Sequence, residues 1–237
     1  MRVFITGTSQ GLGLSLTEEG LRRGHDIIAA QLEINDPIKA LQSQYPGKLS
    51  IEIMDVCNKD AVGRAAESVR RSVGELDGLI NNAAVLLETK YFEGDPIVDM
   101  DLDDYEHTMD VNINGVVRVC KAFLPLIYEG KDRFVLNVTS EGAKLQTGGY
   151  IYPAYSVSKY ALNMYTQILR NYVEAKNKNV RVLMIHPGRM DTPMGVENAQ
   201  IPAMESAVGI WDILEGKIKP EREDIPFINY KGEYMGN

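Results

Sequence analysis

A chain of 237 residues, 44 % hydrophobic and 24 % charged, is long enough for one α/β domain with a well-buried core, and two separate domains would each be small. A net charge of −8 and a pI near 5.0 exclude nucleic acid and anionic membrane as main partners, since both demand clustered Lys and Arg. No apolar run reaches membrane-spanning length, and the N-terminus leads straight into a strand signal rather than a leader, so the expected compartment is the cytoplasm.

Cys57 and Cys120 lie outside any metal-ligand spacing, and His25, His107 and His186 are far apart, so no metal is expected. Residues 2–6 read as a short buried strand. Thr6-Gly7-Thr8-Ser9-Gln10-Gly11-Leu12-Gly13 then turns into an amphipathic helix reaching about Arg23. Strand, glycine turn and helix follow in the order a dinucleotide site requires. Gly7 suits the tight turn, Gly11 and Gly13 let backbone approach a pyrophosphate, and the helix N-terminus offers N–H groups and partial positive charge. A purely structural glycine turn is the competing reading, and the position one strand from the start weighs against it.

Residues 26–30 form the second predicted strand, followed by Gln31, Leu32 and Glu33. An acid there would bind a free ribose 2′-hydroxyl and an arginine a 2′-phosphate; with no cation here or at Gln10, the balance tips from NADP towards NAD. A short helix at 37–44 precedes a strand at 49–54, which ends at Asp55-Val56. Asp55 either accepts from an adenine amino group or caps the helix starting near Lys59, and both readings stay open. That helix places Ala61, Ala65, Ala66 and Val69 inside. The strand at 76–80 leads into Asn81-Asn82-Ala83-Ala84, whose amides can tie strand ends while the small side chains leave room for a flat cofactor.

The loop at 85–101 would border a substrate entrance, and Asp101 would cap the helix that continues to about Leu126. Asn112, Asn114 and Gly115 in mid-helix cost helix propensity, about 1 kcal/mol for the glycine, and predict a local break with an exposed carbonyl. Residues 133–140 form a strong strand signal that delivers Ser140 at its carboxyl end, where open α/β sheets bind ligands. The helix at 155–176 follows, with Val157, Ala161, Met164 and Ile168 as its expected core face.

Tyr155 and Lys159 fall one turn apart on that helix. A phenol titrates near ~10, so a neighbouring cation that stabilises the phenolate would acidify Tyr155, while Ser140 could hold a substrate oxygen against it. Spacing alone is weak: Tyr172 and Lys176 repeat it in a polar run and read as surface. The sixth strand, 180–185, ends at His186-Pro187-Gly188, where Pro187 fixes a turn and Gly188 permits close approach of a nicotinamide ring. Residues 189–206 read as a lid, with Met190 and Met194 able to line an apolar pocket, before a last helix at 207–214 and a strand at 227–230.

Alternating strands and helices predict an α/β fold, a doubly wound, mostly parallel seven-stranded sheet with helices on both faces. The ordered motifs resemble those of the short-chain dehydrogenase/reductase family in its compact single-domain form. They are TGxxxGxG at 6–13, Asp55, the NNAG-like 81–84, Asn112 in NxxG, Ser140, YxxxK at 155–159 and PGxxxT at 187–192. The short tail after Pro226 looks closer to the small bacterial C-factor-like members than to the longer steroid or acyl-carrier reductases.

The resemblance implies an NAD(P)-dependent oxidoreductase that interconverts a carbonyl and a secondary alcohol. Tyr155 would be its general acid and base, with Lys159 lowering the phenol pKa and holding the nicotinamide ribose. Ser140 would orient the substrate oxygen, and Asn112 would anchor a water leading to Lys159. Gly7, Ser9, Gly11, Leu12 and Gly13 would surround the pyrophosphate and adenosine, Asp55 and Val56 the adenine, and Asn81 and Ala83 the ribose. Pro187, Gly188, Met190 and Thr192 would flank the nicotinamide, with Thr192 on the carboxamide. A homodimer or homotetramer through the helices at 103–127 and 155–175 is implied too. Ala84 departs from the family's commoner glycine, and the interval from Ser140 to Tyr155 is somewhat long, which bears on pocket shape. The alternative is a regulatory redox sensor that binds dinucleotide with little turnover; the intact set of Asn112, Ser140, Tyr155 and Lys159 argues for catalysis instead.

Overall fold

The computed structural model describes residues 1–88, 94–145, 149–195, 199–221 and 227–236. Its first strand, β1 (Arg2–Thr6), is apolar on both faces, as a strand buried between two helix layers must be. Phe4 packs on one side with Leu79, Phe123 and Val135, whereas Val3 and Ile5 pack on the other with Leu16, Ile80 and Trp211. The chain continues through α1 (Gly11–Arg22), β2 (Asp26–Gln31), α2 (Asp36–Gln44), β3 (Leu49–Ile53), α3 (Lys59–Val73) and β4 (Gly78–Asn81). After α4 (Leu102–Met109) and α5 (Val116–Ile127) come β5 (Phe134–Val138), α6 (Pro153–Ala175), β6 (Arg181–His186), the short β7 (Met190–Asp191) and β8 (Ile201–Pro202), α7 (Ala203–Leu214) and β9 (Phe227–Asn229).

The main sheet has seven strands in the order β3-β2-β1-β4-β5-β6-β9, each paired in parallel with its neighbours. The strand order reverses between β1 and β4, so their carboxyl ends open a crevice, the place where doubly wound sheets take ligands. The region read as a lid contains a small parallel pair, β7 with β8; its residues 196–198 lie outside the described residues.

Local chemistry explains the helix boundaries. Asn35, Asn58 and Asp101 cap α2, α3 and α4 with side-chain oxygens, so the cap of α3 is Asn58 and not Asp55. The break expected around Asn112 is a π-helical turn, Asp110–Gly115, that joins α4 to α5 without interrupting the rod. Gly115 is needed there because a Cβ would meet the Val56 side chain at 2.8 Å.

The expected core face of α6 is incorrect. Val157, Met164 and Ile168 are 47 %, 53 % and 57 % exposed, and the buried face is Ala154, Ser158, Lys159, Leu162, Thr166, Leu169 and Val173. Two stripes on this helix satisfy helical spacing, and the more apolar one points outwards. Tyr172 is exposed.

Candidate active site

The glycine turn between β1 and α1 builds one wall of a cleft of about 380 Å³ at the crevice. Gly7 has φ +70°, and a Cβ on it would approach the Ala83 backbone to 2.7 Å; a Cβ on Gly13 would run into the Gly7 carbonyl. Both glycines therefore let β1, α1 and the end of β4 close on one another. At Gly11, φ is +55° and the nearest side chain is Thr192, which lies across the turn from the far side of the cleft. In contrast to α2, α3 and α4, helix α1 has neither a side-chain cap nor an acid in its first turn. Its free N–H groups face a cleft lined by Ser9, Gly11, Leu12 and Gly13, which fits a bound pyrophosphate.

At the adenosine end the cleft is lined by Gln31, Asp55 and Val56. Gln31 is buried and committed: its Oε1 accepts from the Thr8 hydroxyl at 2.9 Å and its Nε2 donates to the Glu33 carbonyl at 2.8 Å. Asp55 turns Oδ1 to the Cys57 N–H at 2.8 Å. Asn82, Ala83, Ala84 and Val85 line the floor, and Asn82 Nδ2 donates to the carbonyls of Thr6 and Gly7, tying the ends of β1 and β4.

Asn81 does not line the cleft. Being one residue earlier on a strand, it points to the opposite face, where Nδ2 donates to Asn137 Oδ1 at 2.8 Å and approaches Cys120 Sγ at 3.4 Å. Gly188 lines the adjoining cleft and has φ +88°, and a Cβ on it would strike Ile201 at 2.8 Å and the Tyr230 ring at 3.1 Å. The protein's own packing thus requires that glycine. Pro187, Met190 and Thr192 do line the cleft.

A second cleft, of about 520 Å³, contains Ser140, Glu141, Tyr152, His186, Gly188, Arg189 and Met194. The two meet at Tyr155, Thr139, Pro187, Met190, Thr192 and Met194. Tyr155 keeps an exposed edge, yet its hydroxyl is shielded and near enough to Ser140 to be influenced by it, while Ser140 Oγ accepts from the Gly142 N–H at 3.2 Å. Lys159 is 2 % exposed; its ammonium donates to the Val138 carbonyl at 2.9 Å and lies 5.6 Å from the Tyr155 ring centroid.

An acidified phenol is not what this geometry gives. Burial pushes Tyr155 up to about 12, against the opposing pull of the Ser140 hydroxyl, and burial likewise pushes Lys159 down to about 8. The cause is common to both, because a site that shields one charge from water shields the other, and the ammonium is spent on a carbonyl rather than on the phenol oxygen.

Asn112 is fully buried in the π-helical turn. It exchanges hydrogen bonds with both main-chain groups of Val85, at 2.8 and 2.9 Å, and donates to Ser158 Oγ at 3.1 Å. Its side chain is therefore a clamp on the strand exit. Sequence reasoning missed two residues. Ser158 sits inside a motif already singled out and could have been found there, while the strand-tying expected of the amides at 81–84 falls to Asn82. Glu88, whose Oε1 accepts from the Tyr155 N–H at 2.8 Å, is buried in the loop read only as bordering a substrate entrance.

The model of the short chain dehydrogenase family matches residues 1–202. Among relatives, oxidoreductase BOA17 of Botryotinia fuckeliana is 27 % identical over 201 residues, 85 % of this chain and 70 % of its own. Human dehydrogenase/reductase SDR family member 9 is 32 % identical over 224 residues, 92 % of this chain but only 65 % of its own. In fold, the chain is similar to the NADPH-bound carbonyl reductase from chicken fatty liver, with a TM-score of 0.87 at 22 % identity over 100 % of this chain and 98 % of that one. It is similar also to carbonyl reductase Sniffer of D. melanogaster, with a TM-score of 0.85 at 22 % identity and 98 % coverage of each.

The chain belongs to the short chain dehydrogenase family, whose members are NAD(P)-dependent oxidoreductases acting on carbonyls and alcohols. Among the described residues no helix is long and apolar enough to cross a membrane and no cluster suits a metal ion.

Proposed function

We propose that carbonyl and secondary alcohol are interconverted in this chain with Tyr155 as general acid and base, Ser140 holding the substrate oxygen and Lys159 holding the ribose beside the nicotinamide. The observation that carries this reading is the meeting of the two clefts at Tyr155, with Ser140 lining the second cleft beside it and Lys159 one turn away. The dinucleotide, when bound, supplies or takes the hydride. Tyr155 gives a proton to the substrate oxygen in reduction and recovers it in oxidation. Ser140 fixes that oxygen within reach of the phenol. Asn112 and Val85 hold the cleft floor, and any water leading to Lys159 would rest on the Asn112 main chain, since the side chain is occupied.

A phenol held protonated to about 12 favours the acid role at neutral pH. Reductive turnover should stay level through neutrality, whereas oxidative turnover, which needs the phenolate, should climb as pH rises. The decisive variant is Tyr155→Phe. Turnover on a panel of ketones, aldehydes and secondary alcohols should fall by about 10²–10⁴-fold, with NADH affinity by fluorescence titration near that of the wild type. A variant as active as the wild type would overturn the assignment.

NAD is the favoured cofactor. Lys159 is the one ammonium or guanidinium among the residues lining the dinucleotide cleft, Gln31 has no amide group to spare, and a 2′-phosphate would lie near Glu33. NADPH binding as tight as NADH would refute this. The substrate is a small carbonyl compound with an apolar portion set against Tyr152, Met190 and Met194. Residues 1–237 act as one domain, with 189–206 as a lid over that cleft. The outer apolar stripe of α6 supports a homodimer or homotetramer, and two free cysteines suit the cytoplasm.

A further inference from the structure

The main chain of Tyr155 is tied to the segment leaving β4 directly at its N–H and, through Ser158 and Asn112, indirectly at its carbonyl. Its N–H donates to Glu88 Oε1 at 2.8 Å, and its carbonyl accepts from Ser158 Oγ at 2.7 Å. Ser158 accepts in turn from Asn112 Nδ2, and Asn112 closes the circuit on the N–H and carbonyl of Val85, in the same segment as Glu88. Glu88 is 1 % exposed, and its Oε2 is buried with no hydrogen-bond partner among the described residues.

A half-satisfied carboxyl group is an expensive way to cap a helix. The residue at the usual cap position, Tyr152, supplies no side-chain cap, so the task falls to Glu88 from a distant loop. The positive end of the α6 dipole offsets part of the cost. An uncharged amide could make the same hydrogen bond to the Tyr155 N–H, so packing and capping alone do not require an acid here.

We propose that Glu88 is a positioning residue for Tyr155: its buried carboxyl group fixes the main chain of the catalytic turn and sets an acid behind the phenol that this turn presents. The other groups lining the clefts on either side of Tyr155 are Lys159 on α6, Ser140 and Glu141 beyond β5, Tyr152 before α6, His186 at the end of β6, Arg189 beyond it, and His107 of α4 on the dinucleotide side. Lys159 opposes Glu88, while Glu141 is neutralised by Arg189 at 2.6 Å. Burial dominates the upward displacement of the phenol, and Glu88 adds to it in the same sense.

Two substitutions separate the roles, because E88Q keeps an acceptor for the Tyr155 N–H without the charge and E88A removes both. The pH dependence of kcat would be measured with NADH or NAD on the best ketone and alcohol of the panel. Reduction uses the protonated phenol and oxidation the phenolate, so a lower phenol pKa moves both limbs to lower pH. The E88Q limb should move down by about half a pH unit, which on the rising oxidative limb reads as about threefold more turnover at the same pH. E88A should lose about tenfold in kcat with little change in KM for NADH, and E88Q should restore most of that loss. An E88Q profile superposed on the wild type overturns the proposal, as does an E88A variant with wild-type kcat; if E88A fails to fold, the E88Q profile decides alone. The inference rests on Tyr155 as acid and base, and Y155F run alongside keeps the two failures apart. An active Y155F removes that reading, whereas an inactive Y155F with a superposed E88Q profile removes only the role of Glu88.

Discussion

Along α6, the face turned to the sheet buries Ser158, Lys159 and Thr166 among Leu162, Leu169 and Val173, while the face turned away exposes Val157, Met164, Ile168 and Tyr172. A surface helix ordinarily has the opposite polarity. The inner polar groups persist because each has a partner: Ser158 on the Tyr155 carbonyl, Lys159 on Val138, and Thr166 between Asn137 and the Leu162 carbonyl. Side-chain hydrogen bonds thus position the catalytic turn as much as apolar packing does, and the apolar residues left outside are free to meet another surface. The comparison can be broken from either side.

Lys159→Met is the largest expected break on the inner face. Removing the ammonium while keeping an unbranched stem should cost about 10²-fold or more in turnover and weaken NADH binding. It should also change how stability depends on pH. The folded-state pKa of Lys159 lies near 8, below the ordinary 10.5, so the folded state carries the cost of the buried charge in full below pH 8 and sheds it as pH rises towards 10.5. Between pH 7.5 and 9.5 the wild type should gain about 2 kcal/mol on the variant in urea denaturation. A constant difference would mean that the lysine is not shielded in solution.

Farther along the same face, Asn137 links β4 to α6: its Oδ1 accepts from Asn81 and its Nδ2 donates to Thr166 Oγ1 at 2.8 Å. Asn137→Ala strips both and should destabilise the fold by about 2–3 kcal/mol. Met164→Ala on the outer face should stay within about 0.5 kcal/mol for the isolated subunit. Equal losses by urea midpoint would erase the distinction between the faces.

The sequence disclosed whatever is written in local chemistry. Glycines that close strand on helix, the order of strand and turn signals, and the Tyr155 to Lys159 spacing placed the sheet, the crevice and the catalytic turn, because each depends on a few neighbouring residues. What it concealed depends on contacts across the chain. The two stripes of α6 have equal periodicity, and only the packed neighbours decide which is inside. Asn81 and Asn82 differ by one position on a strand, so the adjacent amide took the place beside the cleft. Glu88 follows the apolar Val85-Leu86-Leu87 in a long loop, and loop position alone does not say that its carboxyl group turns inward to a distant helix. The phenol and ammonium were read as a charge pair, although their pKa values follow from burial, which spacing does not record.

The smallest effect on the subunit itself should come from charging the outer face, by the double substitution Met164→Glu and Ile168→Glu. Both side chains are more than half exposed, so neither contributes much to the core, and the thermal midpoint of the subunit should move by only a few degrees. Two carboxylates one turn apart would nevertheless make any apolar helix-on-helix contact at this stripe costly, since each would have to be desolvated without a partner. Light scattering should therefore report a smaller assembly for the variant than for the wild type, with NADH binding retained because the inner face is untouched. A wild type that is already monomeric at micromolar concentration, or a variant of unchanged mass, would leave the outer stripe as an ordinary solvated surface and confine the logic of α6 to its inner face.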